Sequence, residues 1–370
     1  MTGARLMPPL PSREAAVDLL RVLALLPVVA VNWVGYSALG VGGPMAPPQP
    51  AGSPWAQAGF IAVAALLAGK GLTLLAFLFG YSQGLSARRR GAEALGVRRR
   101  RMGRLLLIGL VHGLLIYSGD ILTLYAVCGF LMLGGSRLRL RQLRRRFVVL
   151  AAVQLLLMTG LSVWLVDLGP QPVPEHAAAP GSWAAWLAGN AWDYVAGQLS
   201  VLLLGLFLPL ALMTAGLMAA RLRLFSHPRW RRDLRRWARC WCVPGLVINI
   251  AWAVALWQAF RTGHVGQAQG LNAFASFVAL PMLLGIVPAV VLAVQRGARW
   301  ARFIAGAGRH TLSLYIGSSL VSLALFSSAG LAWPLGTVAL AVAALLYWGV
   351  WIALATRLQG RLPLEAWLSR

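Results

Sequence analysis

Apolar residues recur along the whole chain in runs of about 20, each long enough to cross a hydrocarbon core of roughly 30 Å as a helix. The first run extends from about Ala15 to Tyr36 and the last from Leu335 to Leu358. The pattern predicts about ten transmembrane helices, because irregular backbone is not tolerated in lipid. The expected fold class is therefore all-α, a polytopic helical bundle that residues 1–370 form as one domain.

The runs between the first and the last are separated by basic or Pro- and Gly-rich segments. They cover about Gln57 to Leu85, a hairpin within Gly103 to Gly134, Phe147 to Leu168, a helix that ends near Leu222, Cys240 to Phe260, Leu271 to Gln295, and Thr311 to Ala329. The hairpin hinges near Ser118-Gly119-Asp120 and is shorter than the roughly 40 residues that two full spans need. We therefore expect its hinge to lie below the outer surface, unless the arginine-bearing flanks extend both helices by snorkelling.

The connecting segments show which side each one occupies. The uncharged loop from Leu39 to Pro54 is expected outside. The segment from Gly169 to about Tyr194 contains several prolines and tryptophans and is interpreted as an external, interfacial loop. Arg221 to Arg239 is interpreted as an amphipathic helix on the inner surface.

Composition supports a membrane location, since hydrophobic residues make up 59% of the chain and charged residues 12%. All of the 34 basic residues except Arg21, Lys70 and Arg261 fall in segments that one topology makes cytoplasmic. This positive-inside bias predicts that both termini lie in the cytoplasm. A net charge of +25 is also typical of nucleic-acid binding. The basic loops, however, carry no aromatic platform, so we expect membrane lipids and no nucleic acid as partners.

Ionisable groups at membrane depth are costly and are therefore candidates for function. On the first helix, Asp18 and Arg21 stand three residues apart, so they either form a structural ion pair or contribute to a ligand site. Asn32 lies on roughly the same helical face nearer the outside and extends a polar stripe across the bilayer. An interhelical hydrogen bond is the alternative interpretation of Asn32.

Three further polar residues lie within apolar runs. Lys70 stands between two glycines, where it is expected to snorkel or to find a charge partner such as Asp120. His112 and Asp120 are the usual parts of a proton-transfer unit, because a carboxylate orients an imidazole and stabilises its protonated form. Asp120 also has the position of a plain N-cap, and a hydrogen-bonded core histidine is the alternative for His112. No metal-ligand spacing accompanies these residues.

Four stretches, in order along the chain, resemble the YeiB-like family of bacterial inner-membrane proteins. They are Asp18-Leu-Leu-Arg21 with Asn32; Leu72 to Gly80; Gly109-Leu-Val-His112-Gly113 with Gly119-Asp120-Ile121-Leu122 and Tyr125; and Gly308-Arg309 with Leu312-Ser313, Tyr315 and a terminal Leu362 to Trp367. That family in turn resembles the transmembrane acyltransferase superfamily. The resemblance implies acyl transfer from a cytoplasmic acyl-CoA, such as acetyl-CoA, to a sugar or lipid acceptor at or across the membrane.

The resemblance also implies roles for individual residues. The O-acetylases of the superfamily carry a histidine where this chain has Asn32, and an amide cannot act as a general base, so His112 with Asp120 would take that role. Arg98 and Arg99 in the basic loop would bind the phosphates of the donor.

A membrane transporter or lipid- or sugar-handling protein without catalysis is the alternative function. It would use the polar stripe as a path and the Pro281 and Pro288 helix for backbone ligands. The sequence leaves open whether the chain forms a homo-oligomer.

Overall fold

A computed structural model describes residues 14–37, 54–90, 94–167, 182–333, 335–358 and 360–369, and within these ranges it contains helices and turns but no strand. The all-α prediction is confirmed for this part of the chain. The helices are α1 (Ala15–Ser37), α2 (Pro54–Leu67), α3 (Lys70–Arg90), α4 (Ala94–Leu115), α5 (Leu122–Leu131), α6 (Leu140–Asp167), α7 (Trp183–Ser200), α8 (Phe207–Arg221), α9 (Arg231–Arg261), α10 (Val265–Ala273), α11 (Ala275–Gln295), α12 (Arg299–Gly306), α13 (Thr311–Phe326), α14 (Thr337–Ala355) and α15 (Pro363–Ser369).

Several helices have the length and apolar character of membrane spans. The described residues contain 6 such spans, or up to 7 if the bent pair of α7 and α8 counts as one. Two shorter apolar helices, α5 and α13, accompany them. These helices indicate a membrane-embedded protein, whereas ten spans and cytoplasmic termini remain predictions.

Burial distinguishes a central helix from peripheral ones. In α1, 72% of the most apolar window is buried inside the bundle, whereas in α6 the share is 11%. Helix α6 instead exposes large apolar side chains such as Val148, Leu156 and Trp164. Apolar side chains on an outer helix have lipid tails as their natural surroundings, so α6 is a peripheral helix and α1 the core helix.

The predicted continuous helix from Gln57 to Leu85 is wrong at one position. Gly69 has a φ of 75° and separates α2 from α3. A Cβ atom at this glycine would lie 2.4 Å from the carbonyl oxygen of Ala275. A positive φ and a close backbone neighbour together require glycine here, and the sequence pattern does not reveal either condition.

The predicted interfacial loop is also wrong from Trp183 to Tyr194, because these residues belong to α7. Ser182 is the N-cap of this helix, and its hydroxyl accepts a hydrogen bond from the backbone N–H of Ala185 at 3.2 Å. A π-helical turn at Val201–Gly205 follows, and the axis then bends by 60° into α8. The rest of that predicted loop, residues 168–181, and the predicted outer loop at residues 38–53 lie outside the described residues.

The predicted surface helix between Arg221 and Arg239 is wrong as a separate element. Residues from Arg231 onward form the first turns of α9, which continues without a break to Arg261. Helix α11 likewise runs continuously through Pro281 and Pro288.

The predicted hairpin hinge is confirmed, since the turn between α4 and α5 contains Ser118, Gly119 and Asp120.

Arginines from separate segments bind backbone or side-chain oxygens at one end of the bundle. The pairs are Arg88 Nη1 with the carbonyl of Ala220 at 3.3 Å, Arg221 Nη2 with that of Gly135 at 3.0 Å, Arg104 Nη1 with that of Trp367 at 2.8 Å, and Arg231 Nε with Gln295 Oε1 at 3.2 Å. These contacts gather the arginine-rich segments into one basic end of the bundle.

Close packing of α3 against α8 depends on two glycines. A Cβ atom at Gly80 would lie 1.9 Å from the carbonyl oxygen of Met213, and one at Gly216 would lie 1.9 Å from that of Phe77.

We expect Gly80→Ala to reduce the free energy of unfolding by about 1–3 kcal/mol or more, because backbone must move to admit the methyl group. Gly160→Ala is the matched control, since no atom lies within 4 Å of its Cβ position. Thermal unfolding in detergent measures both, and equal midpoints would contradict this account of the crossing.

Candidate functional site

A cavity of about 450 Å³ opens at the basic end between α1, α3, α4, α5, α13 and α15. Its volume lies within the range of roughly 300–1,000 Å³ that is usual for small-molecule sites. Charged side chains line it, and they are Glu14, Asp18, Arg21, Arg98, Arg101, Arg309, Arg361 and Glu365. The five arginines outnumber the three carboxylates, so an anion is the ligand that this cavity favours.

Two of the three carboxylates bind partners near the start of α1. Asp18 Oδ1 accepts a hydrogen bond from Arg21 Nη1 at 3.0 Å, which confirms the predicted contact of this pair. Arg21 also donates to Ser82 Oγ. Glu14 Oε2 accepts from the hydroxyl of Tyr81 at 2.8 Å. Both carboxylates are thus engaged by the protein and repel an anionic ligand less than free ones would.

The third carboxylate joins two distant stretches of the chain. Glu365 on α15 accepts hydrogen bonds from the backbone N–H of Ser313 at 2.8 Å and from its hydroxyl at 2.7 Å. Ser313 lies in the first turn of α13, whose N–H groups have no partner within their own helix. Glu365 therefore caps α13 from outside and holds α15 against the mouth of the cavity.

The arginines of the mouth come from three segments. Arg98 is buried and donates to the carbonyl of Leu133 at 3.0 Å. Arg101, Arg309 and Arg361 are exposed. The predicted partner of Arg98, Arg99, is exposed and does not line the cavity. The sequence alone did not indicate Arg309 and Arg361 as members of this site, because they lie more than 200 residues from Arg98.

Tyrosine and aliphatic side chains line the inner part of the cavity, and they are Ile121, Leu122, Tyr125 and Tyr315. Tyr125 donates to the carbonyl of Leu72 at 2.6 Å. The ring of Tyr315 lies 5.0 Å from the ring of His112, measured between centroids. The cavity thus leads from the basic end to the residues directly beside His112.

His112 and Asp120 form the dyad that their residue types predict. His112 Nδ1 lies 2.8 Å from Asp120 Oδ1, and both side chains are almost fully buried. Asp120 Oδ2 accepts from the backbone N–H of Thr123 at 2.8 Å. The same carboxylate therefore both caps the start of α5 and orients the imidazole of His112. The other ring nitrogen, Nε2, is buried and has no hydrogen-bond partner among the described residues. A proton on Nδ1 donated to Asp120 leaves Nε2 as a free base.

Helix α7 braces this dyad with three polar side chains spaced four residues apart on one face. Gln198 Nε2 donates to the carbonyl of Asp120 at 2.7 Å, and the hydroxyls of Tyr194 and Thr123 lie 2.7 Å apart. Asn190 Nδ2 donates to the carbonyl of Gly113 at 2.9 Å. The prolines and tryptophans that precede Tyr194 predict a loop over most of this segment, and these residues were therefore not predicted, although their spacing of four is a helical signal.

We expect Gln198→Ala to reduce the free energy of unfolding by about 1–2 kcal/mol, because the buried carbonyl of Asp120 loses its donor. The rate of backbone hydrogen exchange at residues 112–123 is expected to increase in the same variant. The control is Ser200→Ala, which removes an exposed hydroxyl bonded within its own helix. If exchange at the hairpin were unchanged in Gln198→Ala, α7 would not be its brace.

Lys70 and Asn32, like His112, Asp120 and Arg99, are not among the residues that line the cavity. Lys70 Nζ donates to the carbonyl of Ala64 at 3.3 Å and lies 5.7 Å from the centroid of the Trp252 ring. The suggested pairing of Lys70 with Asp120 is wrong, because the carboxylate oxygens of Asp120 bind His112 and Thr123. Lys70 instead shares the carbonyl of Ala64, near the end of α2, with the backbone N–H of Ala68. Asn32 is buried, and its Nδ2 has no partner among the described residues.

Comparison with known sequences places part of the chain beside proteins of unknown function. Residues 219–361 match a family described as "Protein of unknown function (DUF418)". The match covers α9 to α14 and includes Arg309, Tyr315 and Arg361, but it begins after the dyad on α4 and α5. The chain is also 32% identical over 119 residues to the uncharacterized protein YxaH of Bacillus subtilis (strain 168). That stretch covers 30% of this chain and 28% of the relative.

Proposed function

We propose that this protein is an integral-membrane acyltransferase that moves an acyl group from a cytoplasmic acyl-CoA to an acceptor at or across the membrane. The observation that carries the proposal is the cavity with an arginine-rich mouth and an inner wall at Tyr315, whose ring packs against His112 of the buried dyad with Asp120. The likeness of the four sequence stretches to the YeiB-like family and to the transmembrane acyltransferases supports the same reaction.

The proposal includes ten crossings of a bacterial inner membrane with both termini in the cytoplasm. Glu14 and Glu365 line the same cavity, so the first and last described residues lie at the same end of the bundle. That arrangement supports an even number of crossings. The gathered arginine segments support the cytoplasmic assignment of this end. The bent pair of α7 and α8 counts as one span and brings the apolar spans to seven. Helices α4, α5 and α13 would supply the other three crossings.

The basic mouth fits the phosphate groups of acyl-CoA. Arg101, Arg309 and Arg361 present exposed guanidinium groups, which form bidentate, charge-assisted hydrogen bonds with phosphate. The pantetheine arm of the donor is mostly uncharged and would extend past Leu122 toward Tyr125 and Tyr315. The thioester would then lie at the inner part of the cavity, beside the ring that packs on His112.

The dyad supplies the base for the transfer step. His112 Nε2 takes the proton from a hydroxyl or amine of the acceptor as that atom attacks the thioester carbonyl. The carbon–sulfur bond then breaks, and the protonated His112 returns the proton to the departing CoA thiolate. Asp120 stabilises the imidazolium between these events. Either Arg21 or Asn32 could polarise the thioester carbonyl, and Arg21 is the one of the two that lines the cavity.

The experiment that tests this function uses purified protein in lipid vesicles with radiolabelled acetyl-CoA, glucosamine and a total bacterial lipid extract as acceptors. The expected result is release of CoA in step with an acetylated product. The alternative transporter would instead accumulate the sugar without any acyl donor. The transporter hypothesis relied on a broken α11, whereas this helix is continuous and no described residue of it lines the cavity.

A further inference from the structure

A second basic site lies on the first turns of α9, away from the cavity. A groove of about 330 Å³ is lined by Arg232, Arg235, Arg236, Arg239 and Cys240. The four arginines are exposed, and their side chains have no hydrogen bond or ion pair among the described residues. No carboxylate is among the described residues that line this groove.

The spacing of these arginines places like charges beside one another on the helix surface, with Asp233 as the acidic residue of the first turn. Residues three and four apart are neighbours on a helix surface, and like charges at such spacing destabilise it by roughly 0.2–0.5 kcal/mol per pair. Arg232 also lies in the first turn of the helix, where the backbone dipole favours negative charge. A bound anion with more than one negative group removes both penalties.

The same face of α9 becomes apolar toward the middle of the bundle. Positions 243, 246, 247 and 250 continue the spacing of the arginines, and their side chains, Val243, Leu246, Val247 and Ile250, are all exposed. The opposite face packs tightly on α11, since a Cβ atom at Gly245 would lie 2.5 Å from Met282 Cα. The exposed face therefore consists of an arginine groove followed by an apolar strip. A phospholipid has the same sequence of parts, since a charged head group is followed by apolar chains.

We propose that this face of α9 binds one anionic phospholipid of the inner leaflet that carries two phosphate groups. The four guanidinium groups bind the phosphates, and the acyl chains lie along Val243, Val247 and Ile250. Four arginines match a head group with two phosphates better than one with a single phosphate, because each phosphate can then be held by a pair of guanidiniums. This site is independent of acyl transfer and remains if the proposed activity is wrong.

The test is native mass spectrometry of the detergent-purified full chain with cardiolipin as the two-phosphate probe. Wild type is expected to retain one cardiolipin per chain, and the quadruple variant R232Q/R235Q/R236Q/R239Q is expected to bind it at least 10-fold more weakly. The matched control is R139Q/R141Q/R144Q/R145Q on the preceding basic segment, which removes the same charge from exposed arginines that line neither the groove nor the cavity. The control is expected to bind as wild type does.

Further arms of the experiment separate the sources of the phosphate. Phosphatidylglycerol and phosphatidylcholine with the same acyl chains are expected to bind progressively more weakly, and pyrophosphate is not expected to compete at equal concentration. Thermal unfolding in zwitterionic detergent shows whether each variant is folded. Equal retention by both quadruple variants, equal loss from both, or full competition by pyrophosphate would each overturn the lipid site.

Discussion

His112→Ala is expected to lower acyl transfer by about 10²–10⁴-fold, which is the usual contribution of a positioned general base. The imidazole is held by Asp120 at 2.8 Å, and its Nε2 has no partner among the described residues, so it is free to accept a proton. Loss of the side chain leaves the acceptor without a base at the inner part of the cavity. The measurement is the rate of acetyl-CoA-dependent product formation in vesicles.

Two companion variants make this result specific. Asp120→Asn is expected to reduce the rate while keeping the hydrogen-bonded geometry, because an amide cannot stabilise the imidazolium as a carboxylate does. His264→Ala removes an exposed histidine far along the chain and is expected to leave the rate unchanged. Full activity in a folded His112→Ala protein would remove His112 from the role of base.

Arg309→Gln with Arg361→Gln is expected to weaken acetyl-CoA binding by about 100-fold. Each arginine lines the cavity mouth and is exposed, so it offers charge-assisted hydrogen bonds to a phosphate, of which each contributes roughly 1.5–3 kcal/mol. A loss of about 2.8 kcal/mol corresponds to that factor of 100. Calorimetric titration of the purified protein measures the change.

The chain offers a matched control for this pair. Arg99→Gln with Arg100→Gln removes two equally exposed positive charges from the same basic end, and neither residue lines the cavity. Binding by this control is expected to stay within a few-fold of wild type. If the two double variants lost affinity equally, the general positive field and not the cavity mouth would hold the donor.

Much of the architecture follows from local patterns that the sequence displays. The apolar runs mark most of the long helices, and the Gly119-Asp120 hinge marks the turn between α4 and α5. The contact of Asp18 with Arg21 and that of His112 with Asp120 follow from short spacings of complementary groups. Such features depend on neighbours within about eight residues, which is why the sequence is sufficient to find them.

The missed features depend on contacts between distant segments. The break at Gly69 requires the backbone of Ala275 as a neighbour, and the mouth of the cavity combines Arg98 with Arg361. The tryptophans before Tyr194 favoured an interfacial loop, whereas the face formed by Asn190, Tyr194 and Gln198 packs on the dyad and makes the segment helical. Apolar periodicity reports which face is buried but not against which partner.

The most direct test of the proposed function is calorimetric titration of acetyl-CoA into the folded, detergent-purified protein. The cavity, with its arginine mouth and its inner part beside His112, predicts binding in the micromolar range with one site per chain. Free CoA is expected to compete, since the phosphates that the mouth holds are common to both molecules. An absence of heat on titration, in protein that still unfolds cooperatively, would contradict the acyl-CoA site and favour the transporter.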